Sequence, residues 1–222
     1  MPSKKSENSA PETPKKPHFV KREAIDFGFN AAKKNIVFFF SIFVVWALVT
    51  IISSSVQGAL NADKQSLASF LFSLLVWIVS SVISMGIINI SLEFVDKKKP
   101  VLKDLYYTKK IFNFILVSII RTAIVAVGFI LLIVPGIIFA IKLQFAEYLI
   151  VDKKLDAVDS LKGSWEMTKG VKWNLFLFGL LLALINVLGF LALIVGLVIT
   201  VPLSMVATAF VYRKLLSQTN LK

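Results

Sequence analysis

Cysteine is absent from the 222 residues. That excludes a disulfide framework, a thiolate metal site and a thiol nucleophile. Histidine occurs once, as His18 in a polar stretch, with no companion for a zinc site or a catalytic pair. Charge is missing where the apolar residues run: Ile36–Ile52 and Leu175–Ile199 contain no Asp, Glu, Lys or Arg. No Gly-rich phosphate loop, nucleophile elbow, HExxH pattern or carboxylate dyad occurs. No catalytic residues, metal or cofactor are therefore expected, and the chain is not expected to be an enzyme.

What the chain does contain is apolar. Hydrophobic residues make up 57%, 19 of the residues are Phe, and mean hydropathy is +0.79. About 20 residues, rising about 1.5 Å each, cross a hydrocarbon layer of about 30 Å, so runs of this length are candidate spans. A buried helix of a soluble protein keeps a polar face, and these runs have almost none.

Six spans are expected, at about residues 36–56, 67–92, 111–134, 136–151, 174–195 and 197–212 of a domain covering 21–216. Residues 1–20 (MPSKKSENSAPETPKKPHFV) are rich in Lys, Pro, Ser and Glu and are expected to form a disordered tail. Residues 217–222 form a short C-terminal tail. The fold class is an all-α membrane protein whose spans pair as three hairpins, each preceded by an amphipathic helix on the membrane surface. Lys21–Lys34 places Ile25, Phe29 and Ala32 on one face. A second such helix follows Pro100, with Val101, Leu102, Leu105 and Tyr106 apolar. A third runs from about Ala157 to Lys169, with Ala157, Val158, Leu161, Trp165 and Thr168 together, Asp156 as N-cap and Gly170 as stop. Pro135-Gly136 is expected to turn the middle hairpin, and Pro202 to kink the last span.

The net charge of +12 invites a nucleic-acid reading, but its distribution argues for a membrane. One alternate set of loops and tails holds 22 of the 25 Lys and Arg, the other only Lys64, and Arg121 and Lys142 lie within spans. This is a strong positive-inside pattern. It predicts a multi-pass protein of the cell (inner) membrane with both termini cytoplasmic. Its expected partners are a bilayer with anionic headgroups on that side and an unidentified protein, with no nucleic acid. The short loop Gln57–Ser66 then lies outside.

Lys109–Val134 and Gly170–Val195 align at an offset of 61 residues, with eight identities in 26 positions, among them Asn113/Asn174, Gly128/Gly189 and Val134/Val195. Parallel repeats of surface helix plus hairpin are the expected architecture. The register places the last turn near Gly196.

A set of marks then suggests a family: Pro135-Gly136, Ala157, Leu161, Ser164-Trp165, Thr168, Gly170, Trp173, Pro202 and Tyr212-Arg213. Across about Ser91 to Leu215 the chain resembles a group of uncharacterised prokaryotic six-span membrane proteins, similar in turn to the membrane domain ahead of some glycerophosphoryl diester phosphodiesterases. The resemblance implies the fold and says little of activity. No soluble phosphodiesterase domain is in the sequence.

Arg121 is the sharpest single residue, because a charge deep in a span costs about 3 kcal/mol or more and is usually partnered. It lies 14 residues before Pro135 and Glu147 lies 12 after it, so both sit about 20 Å from the turn at about 1.5 Å per residue. Ser118 and Thr122 share the face of Arg121, while Gln144 and Tyr148 accompany Glu147. This is either a polar site for an anionic substrate or headgroup, or a salt bridge that locks the hairpin. Lys142 is expected to reach outward to the external surface. Asn186 and the Thr200/Ser204/Thr208 stripe read first as helix–helix packing and second as a lined pathway. The segment Ser164, Trp165, Thr168, Gly170 and Trp173 reads as a membrane-lying brace or a partner-docking surface. The leading functional expectation is a non-enzymatic membrane module that anchors or assists a partner or a lipid-linked process. The alternative is a small transporter or lipid-handling permease working at Arg121 and Glu147.

Overall fold

The Lys-rich segment Lys21–Lys34 forms helix α1 over the expected residues, and the apolar runs after it form long helices. The structure is a computed structural model that describes residues 17–60, 67–192, 196–219 and 221. Among these residues it is all helical, with no strand. Asn35 separates α1 from α2 (Ile36–Leu60), its side-chain amide donating to the Ala31 carbonyl. Then come α3 (Leu67–Val95), α4 (Ile111–Leu131), α5 (Ile133–Leu143), α6 (Ala146–Lys153), α7 (Ala157–Met167), α8 (Lys172–Leu191) and α9 (Leu197–Leu216). Six stretches are long and apolar enough to cross a membrane: α2, α3, α4, α5 with α6, α8 and α9.

Burial is concentrated near one end of the bundle. Met85, Leu92, Phe114, Val117, Phe145, Leu149, Tyr212 and Leu215 form a closed core from α3, α4, α6 and α9. In its most apolar window α9 is 39% buried while α2 is 11% buried, so α9 is the central post and α2 an outlying one. The rest of α2 carries exposed apolar side chains such as Val37, Trp46 and Ile52. In hydrocarbon these faces have no reason to hide, since lipid tails solvate them.

α1 does not simply lie flat on the expected Ile25/Phe29/Ala32 face, of which Ala32 is buried. Phe29 is exposed, and the buried stripe is Ala24, Gly28 and Ala32, spaced by four and pressed against α9. A Cβ on Gly28 would stand 2.5 Å from the Leu203 carbonyl oxygen, so only glycine permits this approach. The segment before α1 is also engaged from residue 17. Phe19 is buried edge-on to Phe178, and His18 and Gln218 exchange backbone–side-chain hydrogen bonds of 2.7 and 2.9 Å. The expected disordered tail is therefore too long by these residues, and the remainder of it lies outside the described residues.

Several boundaries shift. α2 continues to Leu60, past the expected loop start at Gln57; the rest of that loop lies outside the described residues. The turn between α4 and α5 falls at Leu132, in extended conformation (φ −166°, ψ 152°), not at Pro135-Gly136. Pro135 stands in the first turn of α5, where a missing N–H costs no helical hydrogen bond. Gly128 turns its open face to the Gly136 backbone, Gly136 turns its own to the Phe129 ring, and Gly189 and Gly196 face each other, so backbones come close near the tips of both α4/α5 and α8/α9. Gly196 directly precedes α9, while residues 193–195, part of the expected last turn, lie outside the described residues. After Pro100 there is only a short 3-10 helix, Leu102–Leu105. Asp104 holds it by accepting from the Val101 N–H at 2.7 Å, and Leu105 alone of the expected apolar side is buried, against Gly86.

Candidate functional site at a broken helix

The fourth candidate span is two helices. α5 stops at Leu143 and α6 starts at Ala146, with Phe145 at φ −97°, ψ 3° between them. A break inside a span strands backbone groups that water cannot reach, so something must satisfy them. Ser164 of α7 does so. Its Oγ accepts from the Phe145 N–H at 3.1 Å and donates to the Lys142 carbonyl at 2.7 Å, and Ser164 is fully buried. Thr168 lies one turn on, also buried, its hydroxyl donating to the Ser164 carbonyl at 2.9 Å. The face α7 turns inward is Ala157, Ser160, Gly163, Ser164 and Met167, set against α4, α5 and α6. The expected apolar face is thus displaced: Val158 is exposed and Trp165 borders the rim. Small residues win because α7 has to approach a helix break closely.

The break sets the register of Glu147, in the first turn of α6. Its Oε1 accepts from Arg121 Nη1 at 3.1 Å and from Ser118 Oγ at 3.0 Å. The depth-matched pair therefore closes, with both side chains half-buried. Thr122 does not join it; it borders an open cleft beside Arg121. Gln144 lies next to the pair with its amide nitrogen buried and without an acceptor, as is Arg121 Nε. Arg121 and Gln144 both reach a second cleft of about 410 Å3 between α4, α5 and α8, whose other walls are apolar, including Phe129, Leu175 and Leu180.

Lys142 turns the other way from expectation. Its ammonium stands 3.2 Å from the centroid of the Trp165 ring, on the α7 side of the molecule. Phe139 lies 6.2 Å from the same ring. The indole face offers the ammonium a cation–π partner that a reach to the other surface would forgo. Gly170 adopts φ +86° and stops the α7 segment, and Trp173 is largely exposed on α8. Asp156 occupies the N-cap position of α7 without capping it. Its carboxylate instead accepts from Lys110 Nζ at 2.8 Å and Asn113 Nδ2 at 2.7 Å, and these bonds pull its pKa below the usual carboxylate value.

Pro202 is buried within α9, which continues through it. Ser204 and Thr208 donate back to the Thr200 and Ser204 carbonyls, and Asn186 donates across to Ser204 at 2.8 Å. From this stripe Ser204, through Asn186, and Thr200, beside Gly189, meet α8. The Tyr212-Arg213 pair does more than mark a terminus. Arg213 makes a two-pronged contact with Asp96 at 3.0 and 2.7 Å and reaches Asp152 at 2.7 Å, while Tyr212 donates to Asp152 at 2.9 Å. One residue pair thus ties the ends of α3, α6 and α9. Tyr107 adds a bond to the Val151 carbonyl at 3.1 Å, and burial followed by the Asp152 charge pushes its phenol pKa up. Sequence reasoning did not assign this junction, although the adjacent aromatic and cation after the last apolar run were a usable signal.

These features define a helical protein with six candidate spans, a stapled helix break and an internal ion pair. No family model matches the chain, and no solved structure matches it. Over 131 residues it is 29% identical to uncharacterised proteins of Mycobacterium tuberculosis (strain ATCC 25618 / H37Rv) and Mycobacterium bovis (strain ATCC BAA-935 / AF2122/97). The match takes in 59% of this chain and 40% of each relative, so the chain spans less than half of their length. Those relatives are themselves uncharacterised and add nothing to the likeness to a phosphodiesterase membrane domain.

Proposed function

We propose that the chain is a non-enzymatic, six-span module of a bacterial-type inner membrane, with both termini cytoplasmic, that anchors or assists a partner or a lipid-linked process. The charge pattern of the loops supports the orientation. The close contacts Gly128–Gly136 and Gly189–Gly196, near the tips of two helix pairs, support a repeated hairpin unit. Its surface segments are read as lying at the cytoplasmic interface, with α7 as a brace. The module reading rests on one observation: Arg121 spends its charge on Glu147, which also takes the Ser118 hydroxyl, joining α4 to α6. A pair closed in this way is a strut. Replacing Arg121 by Met tests it: the folded yield from membranes is expected to fall, and normal assembly counts against the strut.

A second reading, a lipid-handling permease, is favoured by the cleft beside Arg121. Arg121 and Gln144 line an open space whose other walls are apolar, the setting for a lipid's polar oxygen with its chain alongside. Transbilayer movement of a labelled anionic phospholipid in proteoliposomes tests it. Gly179→Leu is the variant to use, since Gly179 lines the cleft and an added Cβ there meets nothing within 4 Å. Movement that stops in this variant supports the permease; no movement above protein-free vesicles removes it.

A further inference from the structure

Two lysine-rich helix ends are brought together by the fold. α1 ends in Lys33-Lys34, and α3 is followed by Lys97-Lys98-Lys99. Lys34, Lys97, Lys98 and Lys99 border one concavity of about 880 Å3 with Phe38 and Phe94 among its apolar walls, and no carboxylate among the described residues lines it. Those two rings meet edge-on at 5.8 Å. Asp96, the acid adjoining the lysine run, is engaged by Arg213. Each helix C-terminus contributes about half a negative charge and Glu93 interacts with Lys98, so four ammoniums leave a surplus of about two positive charges. The backbone is committed too. Lys97 adopts φ +56°, a conformation that favours glycine, with the Lys97 N–H donating to the Phe94 carbonyl and the Lys98 N–H to the Glu93 carbonyl. A lysine stands at the one position of this turn where its absence would be the easier choice.

We propose that this concavity holds the phosphate headgroup of one anionic phospholipid, with an acyl chain running along α2. The lysines recognise the phosphate oxygens. The phenyl walls suit the start of an acyl chain and give nothing to a soluble anion. From there Val37, Phe40 and Val44 continue as an exposed apolar line at helical spacing. The site is a stoichiometric one, distinct from general attraction to a charged surface. It rests on the reading that these ends face an anionic leaflet, which tag accessibility at each terminus in sealed vesicles tests separately.

The experiment is native mass spectrometry of the full chain released from detergent, with phosphatidylglycerol, phosphatidylcholine or inorganic phosphate added. One phosphatidylglycerol is expected to stay bound, and neither of the others. Combined Lys97→Gln, Lys98→Gln and Lys99→Gln is expected to weaken its retention about a hundredfold. Lys153→Gln, Lys154→Gln and Lys162→Gln, which remove as much charge from outside the concavity, are expected to leave it unchanged. Equal retention of phosphatidylcholine, equal binding of inorganic phosphate, or equal loss from both triple variants overturns the proposal. Bound phosphatidylglycerol together with termini on the opposite side overturns the orientation and leaves the site standing.

Discussion

Ser164 stands between the two halves of a broken span, its hydroxyl 2.7 Å from the Lys142 carbonyl that the break strands. The same oxygen takes the Phe145 N–H, so one side chain repairs both edges of the gap. Ser164→Ala leaves the buried Phe145 N–H without its acceptor and the Lys142 carbonyl with the longer Thr168 hydroxyl contact of 3.4 Å. A loss of about 2 kcal/mol is expected, read by chemical unfolding in detergent. Ser164→Thr is expected to keep the bonds but crowd the buried face, and so to fall between the two.

Arg121 and Glu147 should behave as a unit. Losing one partner of a buried pair strands the other charge, so Arg121→Met and Glu147→Gln are each expected to destabilise by about 3 kcal/mol. The double variant is expected to lose less than the sum of the two. A double-mutant cycle measures the difference, and strict additivity would show that the 3.1 Å contact carries no coupling.

Two glycines give opposite expectations. Gly28→Leu drives side-chain atoms into the Leu203 and Ala207 backbone and should loosen α1 from α9 by about 1 to 3 kcal/mol. Gly58→Ala meets nothing within 4 Å and should raise stability slightly through better helix propensity. Thermal unfolding separates them, and protease cleavage within α1 reports the detachment directly.

The acid limb of stability should depend on Asp156. Its folded pKa lies below the ordinary carboxylate value because Lys110 and Asn113 favour the ionised form. As pH falls, the unfolded chain takes up the proton first, so protonation favours unfolding. The contribution is present above the ordinary value, about 3.9, and is lost as pH falls through the lower folded one. Asp156→Asn is expected to flatten this part of a stability–pH curve by removing the contribution at neutral pH, and to match the parent at pH below the folded value.

Arg213→Lys keeps the charge but gives up the planar fork on Asp96. It is expected to cost about 1 kcal/mol, and Arg213→Met more, since Asp96 and Asp152 then face each other with no cation between them.

Hydropathy located the spans because a run of twenty apolar residues has few alternatives in a folded chain. The Arg121–Glu147 contact was legible for a related reason: equal distances from a turn put two residues at one depth, and a shift of three residues in the turn was too small to part them. The break at Gln144-Phe145 was not legible. It contains neither proline nor glycine and exists because Ser164, distant in sequence, satisfies it. Pro135 misled because proline suits a helix start as well as a turn. On α1, of the expected Ile25, Phe29 and Ala32, Ala32 is buried, and the rest of the packing falls to Ala24 and Gly28, which the periodicity did not single out. Periodicity counts apolar residues, and helix–helix contact in lipid rewards small ones.

The pairing of His18 with Gln218 joins positions 200 residues apart, and α1 beside it rests on α9. A ribosome makes α1 well before α9, its seat. Until α9 emerges α1 has no α9 to dock on, and a chain halted before α9 leaves the small-residue stripe without that cover. Only a molecule translated through α9 can put α1 away.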